Sequence, residues 1–125
     1  MKKVIVYSQV RISHVGKVMT RYVLAYHGGD KPKSPEEGAK NMAEWQAWLG
    51  GLGEAVINPG TPLSGTQTVS SDGVRPSSST MSGFTVVEAG SIDAAIAMAR
   101  SSPFLHVNGT IDVSEVMELP GTEDR

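Results

Sequence analysis

Helix patterns alternating with β-rich runs, in the order β-α-β-(β)-β-α-β, predict an α+β sandwich of the ferredoxin-like βαββαβ kind on an antiparallel sheet. Three stretches carry that prediction. Residues 82–119 read as strand, helix, strand. Ser34-Pro35-Glu36-Glu37 stacks three helix-start signals: a capping hydroxyl, a proline at the first helical position and a glutamate three residues after the cap. Tyr22-Val23-Leu24-Ala25-Tyr26-His27 is a β-favouring run that Gly28-Gly29 closes.

In chain order, residues 1–18 fit the pattern least. Val4-Ile5-Val6-Tyr7 has strand character, but nothing downstream calls for a partner, and Met19 reads like a natural start. Residues 1–18 are therefore expected to be a dispensable leader, residues 19–119 the domain, and residues 120–125 a polar tail. In the first helix Ala39, Met42, Trp45, Trp48, Leu49 and Leu52 share a face, with Glu37, Lys40 and Glu44 opposite. Gly50, Gly51 and Gly53 loosen its far end, and Glu54-Ala55-Val56-Ile57-Asn58 forms a short strand that Pro59-Gly60 turns. Residues 61–81 are rich in Ser, Thr, Gly and Pro. Thr66-Gln67-Thr68-Val69-Ser70 and the Asp72-Gly73 pair make them an irregular hairpin arm that projects from the sheet.

Gly83-Phe84-Thr85-Val86-Val87-Glu88 is the next strand. Ser91 caps a helix whose apolar face is Ile92, Ala95, Ile96 and Ala99, and Pro103 stops it near Ser101. The last strand follows Asn108-Gly109 and alternates through Ile111, Val113, Glu115, Met117 and Leu119. With the helices on one sheet face, the other is expected to carry Tyr22, Leu24, Tyr26, Thr85, Val87, Asp112, Ser114, Val116 and Glu118. That set is too apolar to stay wet, so a homodimer is expected to form over it.

Composition narrows the function. Hydrophobic residues make up 39% and charged residues 19%, as in an ordinary soluble globular domain. The net charge of −2 comes without any basic patch, which argues against nucleic acid as a partner. No cysteine is present, so no disulfide or thiolate chemistry is available, and a cytoplasmic address fits. No apolar run approaches the roughly 18 residues of a membrane-spanning helix. Spacings for metal ligands, phosphate loops and nucleophile elbows are missing too, so neither a metal nor a cofactor is expected.

Tyr22-Val23-Leu24-Ala25-Tyr26-His27-Gly28-Gly29, the Trp-bearing helix, Asp72-Gly73, Gly83-Phe84-Thr85-Val86-Val87-Glu88, Ser91-Ile92-Asp93-Ala94-Ala95 and Gly109-Thr110-Ile111-Asp112-Val113 together resemble the YCII-related family, in its DGPF-type branch. The resemblance spans residues 19–119. It implies a ferredoxin-like fold that pairs as a dimeric α+β barrel, with a pocket between sheet and helices. The chain departs from that family twice. Val74-Arg75 follows Asp72-Gly73 where the family motif has Pro-Phe. Met42 and Ser102 stand where part of the family carries a His on the first helix and an Asp before the proline that ends the second. Neither Met42 nor Ser102 can exchange a proton in that role, which weakens the enzymatic implication.

The remaining site candidates come from the residues. His27 ends a strand beside two glycines, where a neutral imidazole can serve as a general base. Tyr26, Trp48, Asp112 and Glu118 are the expected ligand-binding residues around it. Trp48 is chosen because it lies at the edge of the helix face, with Trp45 assigned to the core. Two functions are expected: a protein that binds a small molecule in a pocket formed on dimerisation, or, of the types that the resemblance to dimeric α+β barrels implies, a cofactor-free lyase, isomerase or oxygenase with His27 as base beside a carboxylate such as Asp112 or Glu118. A third, docking of a partner protein by the arm, is disfavoured because the arm is poor in aromatic anchors.

Overall fold

The computed structural model describes residues 10–12 and 18–118. Its elements are β1 (Val10–Ile12), β2 (Val18–Gly28), α1 (Pro35–Leu52), β3 (Val56–Asn58), β4 (Gln67–Ser70), β5 (Gly73–Pro76), β6 (Met81–Ala89), α2 (Ile92–Arg100) and β7 (Gly109–Glu115). Short 3₁₀ turns at Gly53–Ala55 and Pro103–Val107 follow the two helices. The run Val4-Ile5-Val6-Tyr7, residue Leu119 and the tail lie outside the described residues.

Strand β2 is the centre of the sheet. It pairs antiparallel with β6 along one edge and with β7 along the other, and β3 closes the far side of β6. With α1 between β2 and β3 and α2 between β6 and β7, this is the ferredoxin-like arrangement. Strand β1 pairs with Val18–Thr20 of β2, so part of the stretch read as a leader adds a short ladder to the sheet. Strands β4 and β5 make a separate hairpin, turning at Ser71-Asp72, with Val69 and Val74 directly paired and both exposed.

Both helices start where their capping residues predict. The Ser34 hydroxyl accepts from the Glu37 N–H at 3.0 Å, and the Glu37 carboxylate accepts from the Lys33 N–H at 2.8 Å. Ser91 likewise accepts from the Ala94 N–H at 3.1 Å. The face of α2 that turns inward is Ala95 and Ala99, with Ala94 and Met98 beside them; Ile92 and Ile96, expected in the core, are exposed.

The expected assignment of the two sheet faces is reversed on β2 and β6. Tyr22, Leu24, Tyr26, Thr85 and Val87 point under the helices and are buried, whereas Asp112 and Ser114 lie on the open side as expected. Both alternate sets of β2 and β6 are largely apolar, so alternation alone does not choose between them. Volume does. The buried residues of α2 are alanines, so the sheet supplies the bulk that fills the layer, and Tyr22, Leu24 and Tyr26 outsize Val23 and Ala25. Strand β7 also ends at Glu115, so Val116 and Glu118 lie beyond the ladder, where the Val116 N–H donates to the Arg21 carbonyl at 2.9 Å.

Leu24 is fully buried and Val69 is 75% exposed. Leu24→Ala is therefore expected to cost about 2–5 kcal/mol of stability, and Val69→Ala to stay within about 0.5 kcal/mol. Denaturant unfolding of the two variants checks the face assignment.

Candidate functional site

The ordinary strand of β6 is broken once, beside β2. Tyr26 pairs with Gly83 but His27 pairs with Met81, so Ser82 is an extra residue that bulges the strand. Its hydroxyl donates to the carbonyl of Gly28 at 3.2 Å and lies 3.4 Å from that of Tyr26, holding the bulge against β2. Next to the bulge Gly83 presents no side chain, and residues 61–63 run close against it through a bridge from Pro62. Gly60 has φ +75°, and a Cβ there would overlap the Phe84 carbonyl oxygen, so only glycine fits.

These features open a cleft of about 340 Å³ between the helix side of the sheet and α1. Tyr26, Trp45 and Phe104 line it, with Met42, Pro32, Pro59 and Pro62 as further apolar walls. The aromatic rings support one another. Tyr26 meets Trp45 edge-on at 5.1 Å between centroids and Phe104 at 5.2 Å, and Trp45 continues to Trp48 at 5.1 Å. The Phe104 ring is held between Gly29 and Gly109, since a Cβ on either would run into it.

The Tyr26 hydroxyl donates to Thr85 Oγ1 at 2.7 Å, and Thr85 donates onward to the Pro59 carbonyl at 3.0 Å. Burial pushes the Tyr26 phenol up to about 12, against the opposing pull of the Thr85 hydrogen bond. Tyr26 is thus a neutral phenol whose proton is committed inward, a shaping group rather than an acid or base. At the mouth, the Asp30 carboxylate accepts from Asn108 Nδ2 at 2.6 Å, and the Asp30 N–H donates to the Val107 carbonyl at 2.7 Å. Lys31 stands beside it on the rim.

The structure does not bring the five sequence-derived site residues together. Neighbouring residues of a regular strand point to opposite faces, so Tyr26 lines the cleft while His27 faces the open side. There His27 Nε2 lies 3.2 Å from Asp112 Oδ2, and Nδ1 lies 3.1 Å from Thr80 Oγ1. Asp112 accepts only, which puts the ring proton of a neutral His27 on Nε2 and leaves Nδ1 to accept from the Thr80 hydroxyl. Trp48 is 8% exposed, and its indole N–H is shared between the Met98 carbonyl and Ser101 Oγ. Glu118 lies past the opposite end of β7, eight residues along the chain from Thr110, the partner of His27 across the ladder.

Trp45 and Phe104 were missed as cleft residues. Trp45 lies three residues from Met42, a spacing that puts them on one helix surface, and Phe104 follows the proline that ends α2. Met42 is 53% exposed and lines the cleft, whereas Ser102 is buried and caps the 3₁₀ turn by accepting from the Phe104 N–H. Among the described residues, no group of three His, Asp or Glu side chains is placed to hold a metal ion, and no helix is long and apolar enough to cross a membrane.

No protein-family model matches the chain, and no curated protein does so either. A solved structure with a similar backbone is the 5-chloro-2-hydroxyhydroquinone dehydrochlorinase of Burkholderia phenoliruptrix AC1100, in complex with 2,5-dihydroxybenzoquinone. It is 23% identical, with a TM-score of 0.49, over 77% of this chain and 93% of that one.

Because the unfolded chain releases a tyrosine proton near the ordinary 10.0 and the folded chain holds that of Tyr26 to about 12, the contribution of Tyr26 to stability is full below pH 10.0 and is lost as the pH rises through about 12. A phenolate absorbance titration is expected to show a late-titrating tyrosine that Tyr26→Phe removes. Tyrosines that all titrate together near the ordinary value would contradict this.

Proposed function

We propose that the chain binds a small, mainly apolar molecule in the cleft floored by Tyr26, Trp45 and Phe104. The observation that carries this reading is the cleft itself, open, aromatic-lined and formed within one chain. Its volume of about 340 Å³ falls in the usual range for small-molecule sites, and an apolar cavity of roughly 150 Å³ already admits benzene. The family resemblance, which implies a pocket between sheet and helices, points the same way. Binding rather than catalysis is favoured because Met42 lines the cleft where the resemblance implies a histidine, and because the Tyr26 proton is tied to Thr85.

A second reading rests on the contact of His27 with Asp112 and Thr80. A carboxylate and a hydroxyl that orient an imidazole are the parts of a general base, which contributes about 10²–10⁴-fold to a reaction. In that reading the chain is a cofactor-free lyase, isomerase or oxygenase that works on the open sheet face. We further propose that two copies pair through this face. Val23, Ala25, Phe84 and Val86 lie on it, half-buried, and both described helices pack on the opposite side.

The binding reading is tested by calorimetry with naphthalene methanol as probe. Trp45→Ala is expected to weaken binding by about 10-fold or more, from lost stacking and buried area, and His27→Ala to leave it unchanged. Turnover of any substrate by the unmutated protein that His27→Ala abolishes with affinity kept would shift the assignment to the second reading. For the pairing, sedimentation should show a dimer that Val86→Lys dissociates, since the lysine would bury an unpaired charge. A stable monomer of the unmutated protein at micromolar concentration would exclude it.

A further inference from the structure

We infer that the cleft selects aromatic or other planar apolar molecules that carry one anionic group, and that Lys31 is the residue that recognises the charge. This deepens the binding reading above and rests on it. The inference comes from accounting for the polar groups around the cleft. The Tyr26 hydroxyl proton is spent on Thr85, the Ser82 hydroxyl is engaged by the β2 carbonyls, and the Asp30 carboxylate is engaged by Asn108. Lys31 is left. Among the described residues no carboxylate lies within ion-pair distance of it, although Lys31 also borders a polar groove that contains Glu36, Glu37 and Glu44.

The backbone fixes where that charge sits. Asp30 is tied through its N–H to Val107 and through its carboxylate to Asn108, and Lys33 is tied through its N–H to Glu37. Lys31 lies between two pinned positions, so its Cα is held at the rim while the side chain remains free to swing over the mouth. An ammonium with an apolar floor beside it strengthens attraction to an anion, because the bound ligand displaces water from one side of the pair. A ligand that stacks on Trp45 with its ring and turns a carboxylate or phenolate outward satisfies both halves of the site.

The test compares three probes of one shape: naphthoate, naphthalene methanol and naphthylmethylammonium, titrated into the full chain by calorimetry at low salt. The expected order is anion, then alcohol, then cation, with naphthoate about 3–10-fold tighter than the alcohol and that margin shrinking as salt is added. Lys31→Gln is expected to erase the margin between anion and alcohol, Lys31→Arg to keep it, and Lys31→Glu to reverse the order of anion and cation. If the alcohol binds as tightly as naphthoate in the unmutated chain, or if Lys31→Gln leaves the margin intact, the inference is overturned while the cleft reading stands. If none of the three probes binds, the cleft reading fails with it.

Discussion

The hydrogen bond from Tyr26 to Thr85, passed on to the Pro59 carbonyl, is the constraint on which the rest of this molecule turns. Two central strands meet at it, and the loop after β3 is drawn in behind them. Without that relay, a buried phenol and a fully buried threonine would each face an apolar layer with no partner, a cost of about 1–3 kcal/mol per group. With it, the ring is fixed in one orientation. Trp45 and Phe104 can then pack against it from α1 and from the turn after α2, and the three rings become a floor.

That floor is incomplete by design of the backbone rather than by lack of side chains. The extra residue at Ser82, the bare Gly83 and the positive φ of Gly60 all fall on the same side of Tyr26. Each lets main chain pass where a side chain would otherwise stand. The cleft is therefore a property of the central sheet and its neighbouring loop, not of the exposed hairpin arm, whose paired valines bury nothing in the domain. The proposed binding floor and the packing of the domain draw on one set of contacts, so substitutions at the floor would affect both.

Much of the fold was legible because its signals are local. Ser34-Pro35 and Ser91 announce helix starts through hydroxyls that do cap, and Gly28-Gly29 marks the end of the central strand. The face assignment was not legible, because Val23 and Ala25 alternate with Tyr22, Leu24 and Tyr26 in a strand that is apolar on both sides. On β2 the small Ala95 and Ala99 across the layer leave room for the larger set, which turns inward. The site suffered from the same blindness. His27 and Asp112 do meet, as a shared face allowed, but Tyr26 cannot join them, and Trp45 and Trp48 exchange the roles that their positions on a helical wheel suggest. The bulge at Ser82 leaves no composition signal within a Ser- and Gly-rich run.

The clasp of Gly29 and Gly109 on Phe104 has a spectroscopic consequence. On each glycine, the hydrogen that occupies the place of a side chain is pressed against the aromatic ring, inside its magnetic anisotropy. Those two α-proton resonances should stand apart from the others in a proton spectrum, well away from ordinary glycine positions. Gly29 and the Phe104 ring line the cleft and Gly109 abuts the same ring, so both frequencies would follow any tilt of the ring if the cleft fills. The molecule carries its own reporter of occupancy, readable without a label and without knowing what the occupant is.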